Sequence, residues 1–342
     1  MKKLVIATLL AAATGLASAQ TIYGIVDLGV TTATNAKGTG SSVTGMSNGG
    51  LSTSRFGITG GEDLGNGLKA SFNLEGEILA DVGSQGGNDL FHRAAFLKLD
   101  QAGVGSVRLG RFNRIDYTQA IKYDTFGGNN IGGWVATNSG TVNLDQAVRL
   151  SNAVEVQTAS IAGLTVTGQY SAGEVAGTST AGRTWGIGAD YVYGPVSVGA
   201  TYVAKNATTA GYAKTEVTSV GASYDAKVVK VNAGYAQTKT EGTSAKPSGY
   251  FVGATVPVTG KINALAQYNK FDNDAGAKPA VYALGATYAL SKRTTAYVIG
   301  ARSDQDGGSA QNAASSSKYA EFVSPLAGAN QTVASVGIRH TF

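Results

Sequence analysis

The run Val229-Lys230-Val231-Asn232-Ala233-Gly234-Tyr235 decides the fold, because apolar residues alternate through it with polar or small ones. Two further runs read the same way. Val196, Val198, Ala200 and Tyr202 alternate with Ser197, Gly199 and Thr201, and Ile262, Ala264, Ala266 and Tyr268 with Asn263, Leu265, Gln267 and Asn269. Successive strand side chains point to opposite faces, so each run has one apolar face and one mostly small or hydrated face. A soluble sandwich would turn the apolar face inward. Many such strands in series, each about ten residues long and often ending in Tyr, better fit a transmembrane β-barrel with lipid outside and water within.

Extending the reading along the chain gives an all-β, antiparallel barrel of sixteen strands. They are expected at 22–33, 51–60, 67–78, 92–100, 105–112, 148–158, 163–172, 184–193, 196–204, 216–225, 228–238, 248–257, 260–270, 280–290, 294–303 and 333–342. The connectors fall into two classes that alternate. One is short, as at Gly194-Pro195, Ala226-Lys227 and Val258-Thr259; the other is long, at 34–50, 79–91, 113–147, 173–183, 205–215, 239–247, 271–279 and 304–332. Antiparallel strands put every second connector on one rim, so one rim is tight and the other carries long loops, as in outer-membrane barrels. Sixteen strands leave an aqueous channel, where eight would be filled by side chains. Tyr170, Tyr202, Tyr224, Tyr235, Tyr268 and Tyr288 share the apolar parity near strand ends, as interfacial aromatic belts require.

The start of the chain reads differently. Lys2 and Lys3, an apolar stretch from Leu4 to Ala13 and the small-residue site Ala17-Ser18-Ala19 form a secretory signal peptide over 1–19. The barrel domain is then 20–342. Loss of the two signal lysines lowers the formal net charge from +5 to +3, too little to point to nucleic acid. The chain has no cysteine and only two histidines, His92 and His340, which disfavours thiolate and strong transition-metal sites. No cofactor fingerprint appears, and structural divalent ions on loop carboxylates stay open.

Several segments resemble the general diffusion porins of Gram-negative outer membranes, most of all those of betaproteobacteria. They are Ile22-Tyr23-Gly24-Ile25-Val26-Asp27, Ser54-Arg55-Phe56-Gly57-Ile58, the run Gly61-Glu62-Asp63-Leu64-Gly65-Asn66-Gly67-Leu68-Lys69-Ala70, Leu74-Glu75-Gly76-Glu77, Val107-Arg108-Leu109-Gly110-Arg111, Leu290-Ser291-Lys292-Arg293-Thr294 and Val336-Gly337-Ile338-Arg339-His340-Thr341-Phe342. The resemblance implies a homotrimer in outer-membrane lipid and lipopolysaccharide, with one pore per subunit passing ions and small hydrophilic solutes. It implies that the third external loop, here 113–147, folds into the barrel, where Gly127 and Gly128 let the chain turn back. It also makes the terminal Phe342 the signal read by the barrel-assembly machinery.

A channel needs charge at its narrowest point rather than a catalytic set. Arg55, Arg93 and Arg149 lie in or beside strands, where a lipid-facing arginine would cost ~2–4 kcal/mol at the midplane. Alternation with Phe56 and Ile58 turns Arg55 inward. Reading Phe96 as outward puts Leu97 inward and leaves Arg93 unplaced, and parity is silent on Arg149. The resemblance matches all three to the arginine ladder of the constriction and Glu75 to a nearby carboxylate. Asp27 is read as a further inward acid, and Arg111 belongs to a recurring motif. The loop-three acids Asp116, Asp124 and Asp145 are candidates for the opposite side of a transverse field. A purely structural role for the arginines, tying loop three to the wall, is compatible with this. Anion preference is the expectation from the arginine cluster. The rivals are an enzyme using His92 or His340, a barrel presenting loops for adhesion or receptor binding, and a substrate-selective channel. A row of lumen aromatics, which would mark a sugar path, is not seen.

Overall fold

In the computed structural model, residues 20–342 are described except for 37, 129–130, 139–147, 209–212, 307, 315–321, 323–324 and 326. The expected signal peptide, 1–19, and Asp145 lie outside the described residues. The alternating runs pair edge to edge. The strands are β1 (Thr21–Ala36), β2 (Ser41–Asn48), β3 (Arg55–Gly65), β4 (Leu68–Leu79), β5 (Ser84–Gly86), β6 (Ala94–Gln101), β7 (Gly105–Asn113), β8 (Arg149–Thr158), β9 (Leu164–Ser171), β10 (Thr184–Tyr193), β11 (Val196–Asn206), β12 (Lys214–Asp225), β13 (Lys230–Thr240), β14 (Ser248–Pro257), β15 (Ile262–Asp272), β16 (Ala280–Ala289), β17 (Thr294–Asp304) and β18 (Gln331–Thr341).

Every neighbouring pair is antiparallel, and β1 closes the barrel on β18 from Ile25↔Thr341 to Ala33↔Val333. The eighteen strands fill sixteen wall positions. β2 and β3 share one, since both pair with β1, and β5 and β6 share another beside β4. Closure satisfies the edge groups that hydrocarbon cannot. Phe342 completes it: its N–H and C=O exchange hydrogen bonds with Gly24, each at 3.1 Å, and its ring covers Gly24.

The tight rim holds the turns Asn66-Gly67 and Gly194-Pro195, and the opposite rim holds the long connectors. The expected long loop at 34–50 is a correction. β1 continues to Ala36 and pairs with β2 from Ala36↔Ser41 to Leu28↔Asn48, so the first external connector is a short turn. The real interruption follows at 49–54, between β2 and β3. A second correction concerns Phe96. Leu97 and Leu99 are exposed on the outer face, whereas Phe96 packs inside against Phe112, Leu150 and Ala153. The Arg108 guanidinium lies 5.0 Å from the Phe96 ring centre and 4.3 Å from that of Phe112, which holds both rings inward. Tyr170, Tyr224, Tyr235 and Tyr288 are exposed outward, while Tyr268 sits between Tyr250 and Tyr282 in an aromatic cluster.

Loop three, between β7 and β8, enters the barrel and supplies much of its core. Its helix α1 (Ile115–Tyr123) buries Ile115, Gln119, Ala120 and Tyr123, a spacing that keeps them on one face. Asp116 in the first turn and Lys122 in the last suit the helix dipole. A short second helix, α2 (Trp134–Thr137), places the Trp134 ring stacked on Phe271 at 5.0 Å and tilted against Phe251 at 5.3 Å. Gly127 and Gly128 have φ of 71° and 90°, the left-handed backbone that the reversal between the helices requires.

Candidate functional site

Across the lumen, loop three faces the part of the wall that includes β1, β3, β4 and β18. β3 and β4 pair with Arg55 opposite Glu77 and Gly57 opposite Glu75. Glu75 is the hub. Its Oε1 accepts from Arg93 Nε at 2.7 Å and lies 3.9 Å from Arg55 Nη1, and its Oε2 accepts from the Tyr23 hydroxyl at 2.9 Å. Arg93 precedes β6, outside strand alternation, which frees its side chain to turn inward. Its Nη1 also lies 3.8 Å from Glu77 Oε2. Charge-assisted contacts of this kind hold the guanidinium planes in fixed positions.

Arg149 and Arg111 stand beside this pair and act on main chain. Arg149 Nε donates to the Arg93 carbonyl at 2.8 Å, and Arg111 Nε donates to the His92 carbonyl at 2.5 Å. Arg111 Nη1 also donates to the Ser151 hydroxyl. These arginines therefore fasten residues 92–93 to the β7–β8 wall, rather than fastening loop three. Burial and the Arg149 guanidinium hold the His92 imidazole below its ordinary range, so at neutral pH the ring adds no charge.

A cavity of about 320 Å³ lies between the two sides. Arg55, Arg93 and Arg339 line its wall side together with Leu51, Ser52 and Thr53, and no carboxylate lines it among the described residues. Loop three contributes Tyr117, Ile121, Thr125, Phe126 and Gly127. Arg339 is the residue the sequence reading missed. It lies on β18 directly across from Asp27 in the register, and its Nη1 donates to Ser52 Oγ at 3.1 Å. Its alternation with the outward Val336 and Ile338 carries the signal that would have placed it inside.

Of the expected acids, Asp27, Asp116 and Asp124 do not line the cavity. Asp27 points inward but is fully buried beneath residues 49–54: its carboxylate accepts from Leu51 N, Ser52 N and the Tyr297 hydroxyl. Asp116 is fully buried, because Arg114 grips it through two hydrogen bonds of 2.7 and 2.6 Å. Asp124 is buried because it ties the loop's own backbone, accepting from Phe126 N at 2.8 Å and Trp134 N at 2.5 Å. Burial pushes the Asp124 carboxyl up to about 6. The described residues of loop three that line the cavity are thus uncharged, and Asp116 and Asp124 supply no transverse field there.

The description "Gram-negative porin" matches residues 7–308 of the chain. The sequence is 35% identical over 292 residues to outer membrane porin protein 32 of Delftia acidovorans, covering 80% of this chain and 81% of that one. It is 33% identical over 298 residues to an outer membrane porin protein of Bordetella pertussis, covering 77% of this chain and 76% of that one. Among solved structures, an anion-selective porin from Comamonas acidovorans superposes with a TM-score of 0.84 at 32% identity, over 95% of this chain and 100% of that chain. The closed sixteen-position barrel, the inward third loop and these matches carry one conclusion: the chain belongs to the Gram-negative porin family, outer-membrane channels for passive diffusion of ions and small hydrophilic solutes.

Proposed function

We propose that this porin prefers anions and that Arg55, Arg93 and Arg339 set the preference at the constriction. One observation carries the reading: three guanidinium groups and no carboxylate line the cavity among the described residues. Guanidinium stays charged at any working pH, and a narrow passage between low-dielectric walls strengthens its field. Glu75 offsets part of that charge and keeps Arg55 and Arg93 from repelling each other out of position. Arg149 and Arg111 act one step behind, by fixing residues 92–93. The name of the Comamonas structure, an anion-selective porin, supports the same reading by similarity.

The test is a planar bilayer holding the purified protein across a KCl gradient. Stepwise openings with a reversal potential of the chloride sign are expected. A potassium sign would keep the channel and overturn the role of the arginines.

Three partners belong to the same proposal. The family resemblance supports a homotrimer set in lipid and lipopolysaccharide. The tie of Phe342 to Gly24 at the closing seam supports its role as an assembly signal, read as β18 is delivered to β1. Phe342→Ala should lower the yield of assembled barrel in outer membranes without changing conductance per channel; an unchanged yield would remove that role.

A further inference from the structure

Residues 49–54 form a second inward feature of the barrel, and one side chain holds it. Asp27 commits every polar atom it has to this segment or its anchor. Its N–H donates to Ser54 Oγ at 2.9 Å, and its carbonyl accepts from Gly49 N at 2.8 Å and from Ser54 Oγ at 3.2 Å. Its Oδ2 accepts from Leu51 N at 2.8 Å and Ser52 N at 2.7 Å. Its Oδ1 accepts from the Tyr297 hydroxyl at 2.8 Å. That phenol reaches Asp27 through a slot of glycines. A Cβ at Gly50 would sit 2.5 Å from the Tyr297 ring, one at Gly29 would sit 2.9 Å from its hydroxyl, and one at Gly337 would collide with it.

A buried carboxylate is an expensive way to fill space, whereas a carboxylate that accepts three directed bonds fixes where their donors stand. The donors here belong to the cavity wall. Leu51, Ser52 and Thr53 line the cavity, and two of its three arginines rest on them: Arg55 Nε donates to the Thr53 carbonyl at 2.9 Å and Arg339 Nη1 to Ser52 Oγ.

We propose that Asp27, held by Tyr297, is a positioning residue of the channel: it seats the 49–54 segment, which aims Arg55 and Arg339 into the constriction from the side opposite loop three. The inference rests on the constriction reading above and assigns Asp27 a part it plays without touching the permeating ion. It also carries a sign of its own. Removing a negative charge near the lumen would by electrostatics alone make the channel more anion-preferring. Loss of positioning works the other way, because Arg55 and Arg339 lose their supports.

The test compares Asp27→Asn, Tyr297→Phe, Ser52→Ala and the pair Arg55→Ala/Arg93→Ala in the full-length protein, by reversal potential and single-channel conductance. Asp27→Asn is expected to lower the chloride/potassium permeability ratio by about two-fold or more. Tyr297→Phe, which leaves charge unchanged, should move the ratio the same way by less. Their double variant should fall short of the sum of the two shifts, since both act through one contact. Ser52→Ala leaves the Asp27 bonds intact and keeps the test open should Asp27→Asn fail to fold; it too should lower the ratio. A raised or unchanged ratio in folded Asp27→Asn, or an unchanged ratio in Ser52→Ala where Asp27→Asn does not fold, overturns the inference. An unchanged ratio in Arg55→Ala/Arg93→Ala overturns the constriction reading instead, whatever Asp27→Asn does.

Discussion

The inner wall of this barrel has two halves that meet loop three differently. From β10 to β16 it is lined with small residues that let loop three lie close: Ile115 against Gly188, Tyr123 against Gly221, Trp134 against Gly249 and Phe126 against Gly285. A Cβ at Gly188 or Gly249 would sit 2.7 Å from the loop side chain. From β1 to β8 the wall instead carries Tyr23, Arg55, Glu75, Glu77, Arg108 and Glu155, joined in charged and hydrogen-bonded networks. The difference teaches how a pore is narrowed without being closed. Close packing on glycines, with hydrogen bonds such as Ser219 to Gln119 and Thr125 N to Gln267, holds the loop to one half, while the charged groups of the other half are tied among themselves. Among the described residues of the loop, Asp116 and Asp124 are bound within it and Lys122 pairs with Asp190 on β10, so the charge that lines the cavity belongs to the wall.

The largest break in this division is expected from Arg114→Ala. It leaves the Asp116 carboxylate buried without its bidentate partner, a change that typically costs ~3–5 kcal/mol. The loop should unseat, raising single-channel conductance and protease cleavage near residue 116 while the barrel strands persist. Gly221→Val attacks the packing half directly. Its side chain would overlap the Tyr123 ring, and overpacking of this kind costs ~1–3 kcal/mol. Conductance should rise here too, by less, with permeability ratios moved little; a wild-type conductance would show that α1 does not rest on that glycine.

A third expectation concerns pH. Burial raises Asp124 from the ordinary 3.8 to about 6, whereas an unseated loop would hydrate it and restore the ordinary value. Between those two values the seated loop binds more protons than the unseated one, so its stability is fullest below the ordinary value and is lost as pH rises through about 6. Hydrogen exchange at Phe126 and Trp134, corrected for intrinsic rates, should therefore slow from pH 7 toward pH 4, and Asp124→Asn should flatten the dependence. Faster exchange on acidification would reverse the assignment. The smallest effect belongs to His92→Gln. With the imidazole already uncharged, the permeability ratio at pH 7 should not move, and a shift would show that His92 carries charge to the pore.

Much of this plan was legible because a membrane enforces it. Within the apolar band each outward position must be greasy, so the runs at 196–204, 228–238 and 260–270 fell within two residues of β11, β13 and β15. Past the external edge of the band both faces are wet and the alternation lapses. Ser41–Asn48 accordingly looked like loop, with Met46 its one strongly outward apolar side chain, although it pairs fully with β1. Phe96-Leu97 offers two adjacent apolar residues, and reading Phe96 as outward takes the wrong one; Arg108 and Phe112, which arrive from the next strand, hold Phe96 inward.

The site was legible in part for the same reason. Arg55 sat in clean alternation, and Arg93, Arg149, Arg111 and Glu75 entered through family resemblance; the structure draws all five together. Acids in a glycine-rich loop read as solvated. Asp116 meets Arg114 and Asp124 meets its own backbone only once the loop has folded. Arg339 was hidden in plain alternation, in a segment read for its terminal aromatic.

The most direct measurement is the reversal potential under a KCl gradient of the wild-type channel beside an Arg55→Ala/Arg93→Ala/Arg339→Ala variant of equal assembly. A chloride-signed potential that collapses toward zero in the variant is the expected result. A potential that keeps its sign and size without the three arginines would contradict a constriction whose charge resides on the wall.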